Sequence, residues 1–332
     1  MFIIHSYSTA ILFCIITMFC WGSWANTTKL SSPKWRFELF YWDYAFGILI
    51  LSLILAFTLG SNGSTGRPFI EDIKQANNTH LLSAFIGGVV FNLANILLVS
   101  AIALAGMAVA FPVGIGIALI LGVIVNYAGN PQGNAVFLFG GVALIAVAIL
   151  LNANAYRQVN KGKASFSKKG LVIAIIAGVL MGFFYRYVAA SMVGNFDNPE
   201  AGKLTPYTAL VFFAIGIVVS NFLFNGLLMR FPFSGEKLSI RDYFKGSGKD
   251  HLIGILGGII WHIGMSFNII ASGKAGPAIS YGLGQGATII AAIWGIFIWK
   301  EFANASKSTY RNLYLMLLLY LVGILLIILA NK

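Results

Sequence analysis

Hydrophobic residues form ten long runs along this chain, and short polar stretches separate them. The runs Leu81–Ala105 and Leu313–Ala330 both reach the roughly 18–20 apolar residues that cross a ~30 Å hydrocarbon layer. Each of the ten runs therefore predicts a membrane-spanning helix. The predicted helices lie near residues 9–27, 39–59, 80–104, 107–127, 134–153, 170–191, 206–229, 252–272, 277–299 and 312–330.

The composition supports a protein whose main solvent is lipid. Of the 332 residues, 58% are hydrophobic and 10% are charged, whereas soluble domains carry about 25% charged residues. We therefore expect an all-α membrane protein without a soluble domain. Its two cysteines, Cys14 and Cys20, lie about 9 Å apart along one helix axis, so neither a disulfide scaffold nor a metal motif is expected. No cofactor is expected either.

The basic excess predicts an orientation in the membrane. The net charge of +12 would suggest nucleic acid as a partner of a soluble protein, but here most Lys and Arg residues lie between the apolar runs. The loops after the first, fifth, seventh and ninth runs carry most of them, and the opposite side has only Arg67, Lys74, Lys203, Lys274 and Lys332. The positive-inside rule then predicts a cytoplasmic loop at Tyr156–Lys169 and both termini outside an inner cell membrane.

Two pairs of similar segments indicate an internal repeat. Ile86–Asn95 (IGGVVFNLAN) aligns with Leu256–Met265 (LGGIIWHIGM), and Ala105–Ile120 aligns with Ala275–Ile290 at the same offset. Chance matching of glycine-rich apolar helices is the alternative. Because five is odd, a five-plus-five duplication places the two halves in opposite orientations. We expect repeats at residues 1–155 and 170–332, with a short basic loop at 156–169.

Several segments, in this order, resemble the ureide permease family of the drug/metabolite transporter superfamily. They are FCWGSWANTTKL at Phe19–Leu30, WDYAFGILI at Trp42–Ile50, LAFTLGS at Leu55–Ser61, GGVVFNLAN at Gly87–Asn95 and WGIFIWKEF at Trp294–Phe302. Rhamnose and glucose uptake permeases belong to the same superfamily. The resemblance implies ten transmembrane helices in two inverted halves and proton-coupled uptake of small polar solutes such as allantoin, uracil or sugars.

One departure from this family concerns the central loop. Plant members carry a long loop with a nucleotide-binding-like motif, whereas Asn152–Lys169 is short and lacks the GxxxxGK[ST] pattern. We therefore expect no nucleotide partner.

Polar side chains at mid-membrane depth are candidates for substrate binding, because such groups are costly in hydrocarbon. Asn92 and His262 are equivalent in the repeat, and both lie near the middle of their runs. Asn95 shares a helix face with Asn92. Tyr281 and Gln285 accompany three glycines in the ninth run. For each of these residues, hydrogen bonding or close packing between helices is the alternative.

Aromatic and charged residues complete the candidate set. Trp21 and Tyr185 offer flat faces and polar edges to a neutral ring-shaped solute, with interfacial anchoring as the alternative. Arg186, a cation within a run, is suited to bind substrate carbonyls or to pair with a carboxylate. The alternative is that its side chain snorkels to the membrane interface. Asp43 and His262 are the candidates for proton coupling.

These features favour a secondary active transporter for a small neutral polar solute, coupled to protons or another cation. A metabolite exporter of the same superfamily and a non-enzymatic channel or receptor are the alternatives. A membrane enzyme is not expected, because no HExxH motif, aspartate pair or Ser/His dyad occurs among the four His and ten acidic residues.

Overall fold

The computed structural model describes residues 1–159 and 167–331. Lys161, Lys163 and Lys332 of the predicted charge pattern lie outside the described residues. The described residues form helices joined by loops and turns, and their β-structure is limited to one isolated bridge between Met192 and Leu204. This confirms the predicted all-α class.

The helices, in chain order, are α1 Tyr7–Ser23, α2 Phe37–Phe57, α3 Phe69–Gln75, α4 Asn78–Ala105, α5 Met107–Gly129, α6 Ala135–Val159, α7 Lys168–Ser191, α8 Pro206–Arg230, α9 Ile240–Tyr243, α10 Gly248–Ala275, α11 Pro277–Gly284, α12 Ala287–Ile293 and α13 Lys307–Leu329. Ten helices in the described residues are long and apolar enough to span a membrane, counting α11 and α12 as one. The predicted count is therefore confirmed. The short helices α3 and α9 precede α4 and α10 and were not predicted.

The ninth span differs from the continuous helix predicted at 277–299. It consists of α11, α12 and a π-helical turn at Trp294–Ile298. At the first interruption, the Gly286 N–H donates to the Leu283 carbonyl at 2.9 Å, one residue short of the α-helical partner. Glycine has a low helix propensity, and two glycines flank Gln285 at this point. A broken helix at membrane depth occurs where protein or a cavity covers its backbone.

The turns between α4 and α5 and between α10 and α11 are alike. Gly106 has φ 76° and ψ 158°, and Gly276 has φ 80° and ψ 153°. Positive φ favours glycine, and the repeat alignment pairs these two positions. The second turn therefore lies at Gly276, and α10 extends to Ala275, three residues beyond its predicted end at residue 272.

Four glycines bring helix backbones together in two equivalent ways. At each of them an added Cβ would overlap a carbonyl oxygen of the facing helix: Gly88 faces Phe213, Gly258 faces Tyr44, Gly216 faces Phe85, and Gly47 faces Ile255. The contact of α4 with α8 thus has the same form as the contact of α10 with α2. In addition, Gly141 of α6 and Gly323 of α13 face each other's carbonyl oxygens. These contacts fit the predicted five-plus-five inverted repeat.

Candidate functional site

Aromatic rings fill the space between α4 and α10. The rings of Phe91 and Trp261 lie 4.4 Å apart between centroids, and the repeat alignment pairs these two positions. We call the surrounding set the central aromatic cluster: Trp21, Tyr44, Phe91, Phe184, Phe213 and Trp261. The cluster therefore lies where the two predicted halves meet.

Each predicted half contributes rings to the central aromatic cluster. Phe184 and Phe213 lie 5.1 and 5.6 Å from Phe91, and Trp21 stacks on Trp261 at 5.9 Å and 12°. The Trp21 indole N–H also donates to the Trp261 carbonyl at 3.2 Å. Trp21 is only partly buried, whereas Trp261 is buried. Such flat faces suit the rings of a heterocycle or a sugar.

Polar groups from α2 and α4 border the cluster. Tyr44, whose ring lies 6.3 Å from Trp261, has a buried hydroxyl with no hydrogen-bond partner among the described residues. Asn95 donates from Nδ2 to the Tyr41 hydroxyl at 3.2 Å, and Tyr41 stacks on Tyr44 at 5.2 Å. The rings of Tyr41 and Tyr44 thus lie between the predicted site residue Asn95 and Trp261.

The break in the ninth span adjoins Trp21. A Cβ at Gly284 would lie 2.7 Å from Trp21 Cζ3 and 2.9 Å from Asn268 Nδ2. Asn268 Nδ2 donates to the Ser280 carbonyl at 2.8 Å, while Asn268 Oδ1 and the Ser280 hydroxyl have no partner in the described part of the chain. Gln285 follows at the break and is 8% exposed. The break therefore presents polar groups beside the stacked indoles.

Asn92 and His262 are both buried, and each lies fourteen residues into its helix, about 21 Å along the axis. Asn92 Nδ2 donates to the Ile217 carbonyl at 3.3 Å and to the Ser220 hydroxyl at 2.8 Å, so it links α4 to α8. Neither ring nitrogen of His262 has a partner among the residues described. The two residues share a depth but differ in their contacts.

Tyr185 lies in the second half of α7, and Tyr281 lies in α11. The Tyr185 hydroxyl donates to the Asn268 carbonyl at 3.4 Å, and the Tyr281 hydroxyl donates to the carbonyls of Ala118 and Met181 at 3.0 and 3.2 Å. Their rings are 5.2 Å apart. The two side chains thus link α5, α7, α10 and α11. Arg186, the next residue after Tyr185, lines a cavity near the ends of α5, α7 and α10.

Asp43 has two partners that sequence reasoning missed. Its carboxylate accepts from the Tyr243 hydroxyl at 2.6 Å and lies 3.0 Å from His251 Nδ1. Asp43 itself is 2% exposed. Burial and the nearby Asp43 raise the pKa of Tyr243, so its hydroxyl stays protonated and donates. The group joins α2, α9 and the first turn of α10.

On the same side, a second network joins the 3₁₀ turn after α1 (Trp24–Leu30), α6 and the end of the ninth span. The Glu301 carboxylate accepts from the Tyr156 hydroxyl at 2.7 Å and lies 3.6 Å from Lys29 Nζ. The Trp299 indole donates to Asn26 at 2.6 Å. Glu301 therefore pairs with Lys29, which is distant in sequence.

A family model described as Ureide permease matches residues 40–169 and 157–330 of the chain. The chain belongs to the ureide permease family. It is similar to Ureide permease 1 of Arabidopsis thaliana, with 24% identity over 98% of this chain and 97% of the relative. It also resembles the glucose uptake protein GlcU of Bacillus subtilis (strain 168), with 25% identity over 86% of this chain and 84% of that protein.

These relatives make the chain a multi-pass membrane transporter of small solutes and not an enzyme. The similarity extends to a solved crystal structure that matches with a TM-score of 0.60 at 14% identity, over 97% of this permease and 98% of that chain. At that identity the match concerns the fold alone.

Proposed function

We propose that this permease is a secondary active transporter that takes up a small neutral polar solute, a ureide, a nucleobase-like compound or a monosaccharide. Uptake proceeds by alternating access and is coupled to protons. The names of its relatives, which refer to ureides and to glucose, support these solute classes.

The central aromatic cluster is the observation that carries this proposal. Inverted-repeat transporters bind their solutes near the midplane where the halves meet, often beside interrupted helices. Here Phe91 and Trp261 meet with rings 4.4 Å apart, and the break at Gly284 lies against Trp21. A ring-shaped solute stacked on Trp21 would reach Gln285, Asn268 Oδ1 and the Ser280 hydroxyl. Asn92, Asn95 and His262 remain predicted contributors from the same depth.

Asp43 is the proposed proton carrier. Its carboxylate is buried between two hydrogen-bonding partners, His251 and Tyr243. The Asp43 carboxylate lies within hydrogen-bond distance of an imidazole nitrogen and a phenol hydroxyl, so both partners can share a proton with it. The sequence-predicted orientation puts this pair at the cytoplasmic end of α2, in an inner membrane with both termini outside. His262 stays the second predicted coupling residue.

The test is uptake into proteoliposomes that contain purified wild-type protein and carry an imposed pH gradient. Labelled allantoin, uracil and glucose serve as the first probes. We expect saturable accumulation of at least one of them that collapses when a protonophore dissipates the gradient. Flux that rises linearly with concentration would instead indicate a channel, and binding without flux would indicate a receptor.

A pair of variants at Trp21 links this uptake to the cluster. Trp21→Leu removes the stacking face and Trp21→Phe keeps one, so the first should raise KM well above the second. Tyr187→Leu is the matched control, because Tyr187 is an exposed aromatic residue of α7 at 40% exposure. Equal KM values in all three variants would exclude the cluster as the binding site.

A further inference from the structure

A cavity of about 280 Å³ lies at the far end of α7, apart from the central aromatic cluster. Its walls come from the ends of α5, α7 and α10 and from the loop after α7. The side chains and backbone that matter for its chemistry are Gly129, Asn130, Arg186, Lys203 and Ser272. By the sequence-predicted orientation this end faces outward.

Arg186 supplies the free positive charge of this cavity. The other cation in the wall, Lys203, lies 2.6 Å from the Glu200 carboxylate. Within residues 1–159 and 167–331, Arg186 has neither an ion-pair nor a side-chain hydrogen-bond partner. A guanidinium group carries five N–H donors in a planar fork that matches carbonyl and carboxylate oxygens.

The ends of the surrounding helices hold this charge in place. α5 ends at Gly129, α7 at Ser191 and α10 at Ala275, and the carbonyl groups at a helix C-terminus favour a nearby cation. The guanidinium lies directly over Gly129, where any Cβ would overlap it. The helix ends stabilise the positive charge of Arg186. Unlike a paired carboxylate, they leave its N–H donors available to a solute.

The cavity leads toward the proposed central site. Tyr185 precedes Arg186 on α7, and its hydroxyl reaches the Asn268 carbonyl. Asn268 lies one helical turn, about 6 Å, from the cavity residue Ser272. Asn268 also borders the break at Gly284. A solute released from Arg186 would therefore meet the Tyr185–Asn268 contact before it reached Trp21.

We propose that Arg186 and this cavity form an outer recognition site that selects neutral solutes bearing carbonyl oxygens, such as ureides, before they enter the centre. This inference rests on the proposed transport function. Ureides and nucleobases present carbonyl oxygens that can accept from two guanidinium N–H groups, whereas a pyranose presents hydroxyl groups. Arg186 thereby favours ureides over monosaccharides.

Chemical modification of Arg186 tests binding without requiring transport. Purified wild-type protein is treated with phenylglyoxal, an arginine reagent, and the modification of Arg186 is followed by mass spectrometry of its peptide. We expect allantoin to slow this modification in a saturable way and glucose to leave it unchanged. Arg67, which pairs with Asp72 at 2.8 Å, is the internal control whose modification should not respond to either solute.

Transport kinetics provide the second readout. Arg186→Gln, and independently Gly129→Ala, should raise the KM for allantoin roughly tenfold, because a hydrogen bond to a charged group is lost or displaced. The KM for glucose should change little. Gly129→Ala retains every charge and pushes only the flexible end of Arg186, so it answers the question if Arg186→Gln fails to fold. Lys274→Gln is the control for loss of one charge on the same face.

Unprotected Arg186 together with wild-type allantoin KM in both variants would overturn the recognition site and leave the proposed transport function intact. An equal rise in KM with Lys274→Gln would also overturn it, since general surface charge would then explain the effect. Absence of saturable uptake of any probe by the wild type would count against the proposed function, and Arg186 protection would still report on the recognition site.

Discussion

α2 carries two acidic residues, Glu38 and Asp43, whose partners differ. α2 begins at Phe37 and so includes Glu38 as well as Asp43. The Glu38 carboxylate pairs with the guanidinium of its neighbour Arg36, whereas Asp43 lies deeper and binds His251 and Tyr243. Glu38 is held in an ion pair with a guanidinium, whereas Asp43 is shared between an imidazole and a phenol, so Asp43 is the acid better suited to exchange a proton.

Asp43→Asn should abolish pH-driven accumulation of the transported solute and leave solute exchange between the two sides. The amide is similar in size but carries no exchangeable proton, so the binding site can still alternate without coupling. Asp242→Asn is the control, because Asp242 caps α9 at the surface and pairs with Lys245 at 2.7 Å. Accumulation in Asp43→Asn at the wild-type level would refute the coupling role.

Asn92 and His262 should respond differently to apolar replacement. Asn92→Leu removes bonds to Ile217 and Ser220 and should lower the unfolding free energy by ~1 kcal/mol, typical of hydrogen bonds between membrane helices. His262→Phe removes no such bond and should leave thermal stability unchanged. Thermal unfolding of the purified variants in detergent measures both. Equal losses would show that His262 has partners like those of Asn92.

The sequence located some residues of the candidate site and missed others for one physical reason. The spans are apolar on nearly every face, so periodicity does not reveal which face of each helix meets a neighbour. Trp21 and Asn95 were found by residue type. Trp261 could have been found, because the repeat alignment pairs it with the aromatic Phe91. His251 carried no comparable signal, since its contact with Asp43 depends on how α10 packs on α2.

At the scale of elements, the interruption of the ninth span by Gly284 and Gly286 offers a direct test. Gly284→Ala should place a methyl group against Trp21 and Asn268, and we expect at least a tenfold loss of uptake with the protein still monodisperse. Gly282→Ala is the control within the same helix, because its Cβ would come no closer than 3.3 Å to a neighbouring atom. Similar uptake by both variants would exclude a transport role for this break.

Hydropathy predicted the ten spans well because membrane thickness fixes their length and apolar character. It could not predict the break, since apolar residues continue through it and only the hydrogen-bond pattern changes. The short helices α3 and α9 were missed for the opposite reason. Each contains charged residues and is too short to appear as an apolar run.

At the scale of the whole molecule, the orientation in the membrane remains a prediction from the basic loops. A single cysteine introduced at Lys163 should resist an impermeant maleimide in intact cells, and one at the exposed Ser64 should react. Cys14 and Cys20 would first be replaced, so that neither contributes background labelling. The reverse labelling pattern would place both termini in the cytoplasm.

The backbone contacts at Gly47, Gly88, Gly216 and Gly258 also determine how freely this gene can vary. Any side chain at these four positions meets a carbonyl oxygen of the facing helix, so we expect a saturation-mutagenesis library selected for growth on the transported solute to retain only glycine there. Gly116 and Gly226 have open space where a Cβ would lie, so they should accept alanine and serine. The two predicted halves would thus differ in most side chains and still both require glycine where their helix backbones meet.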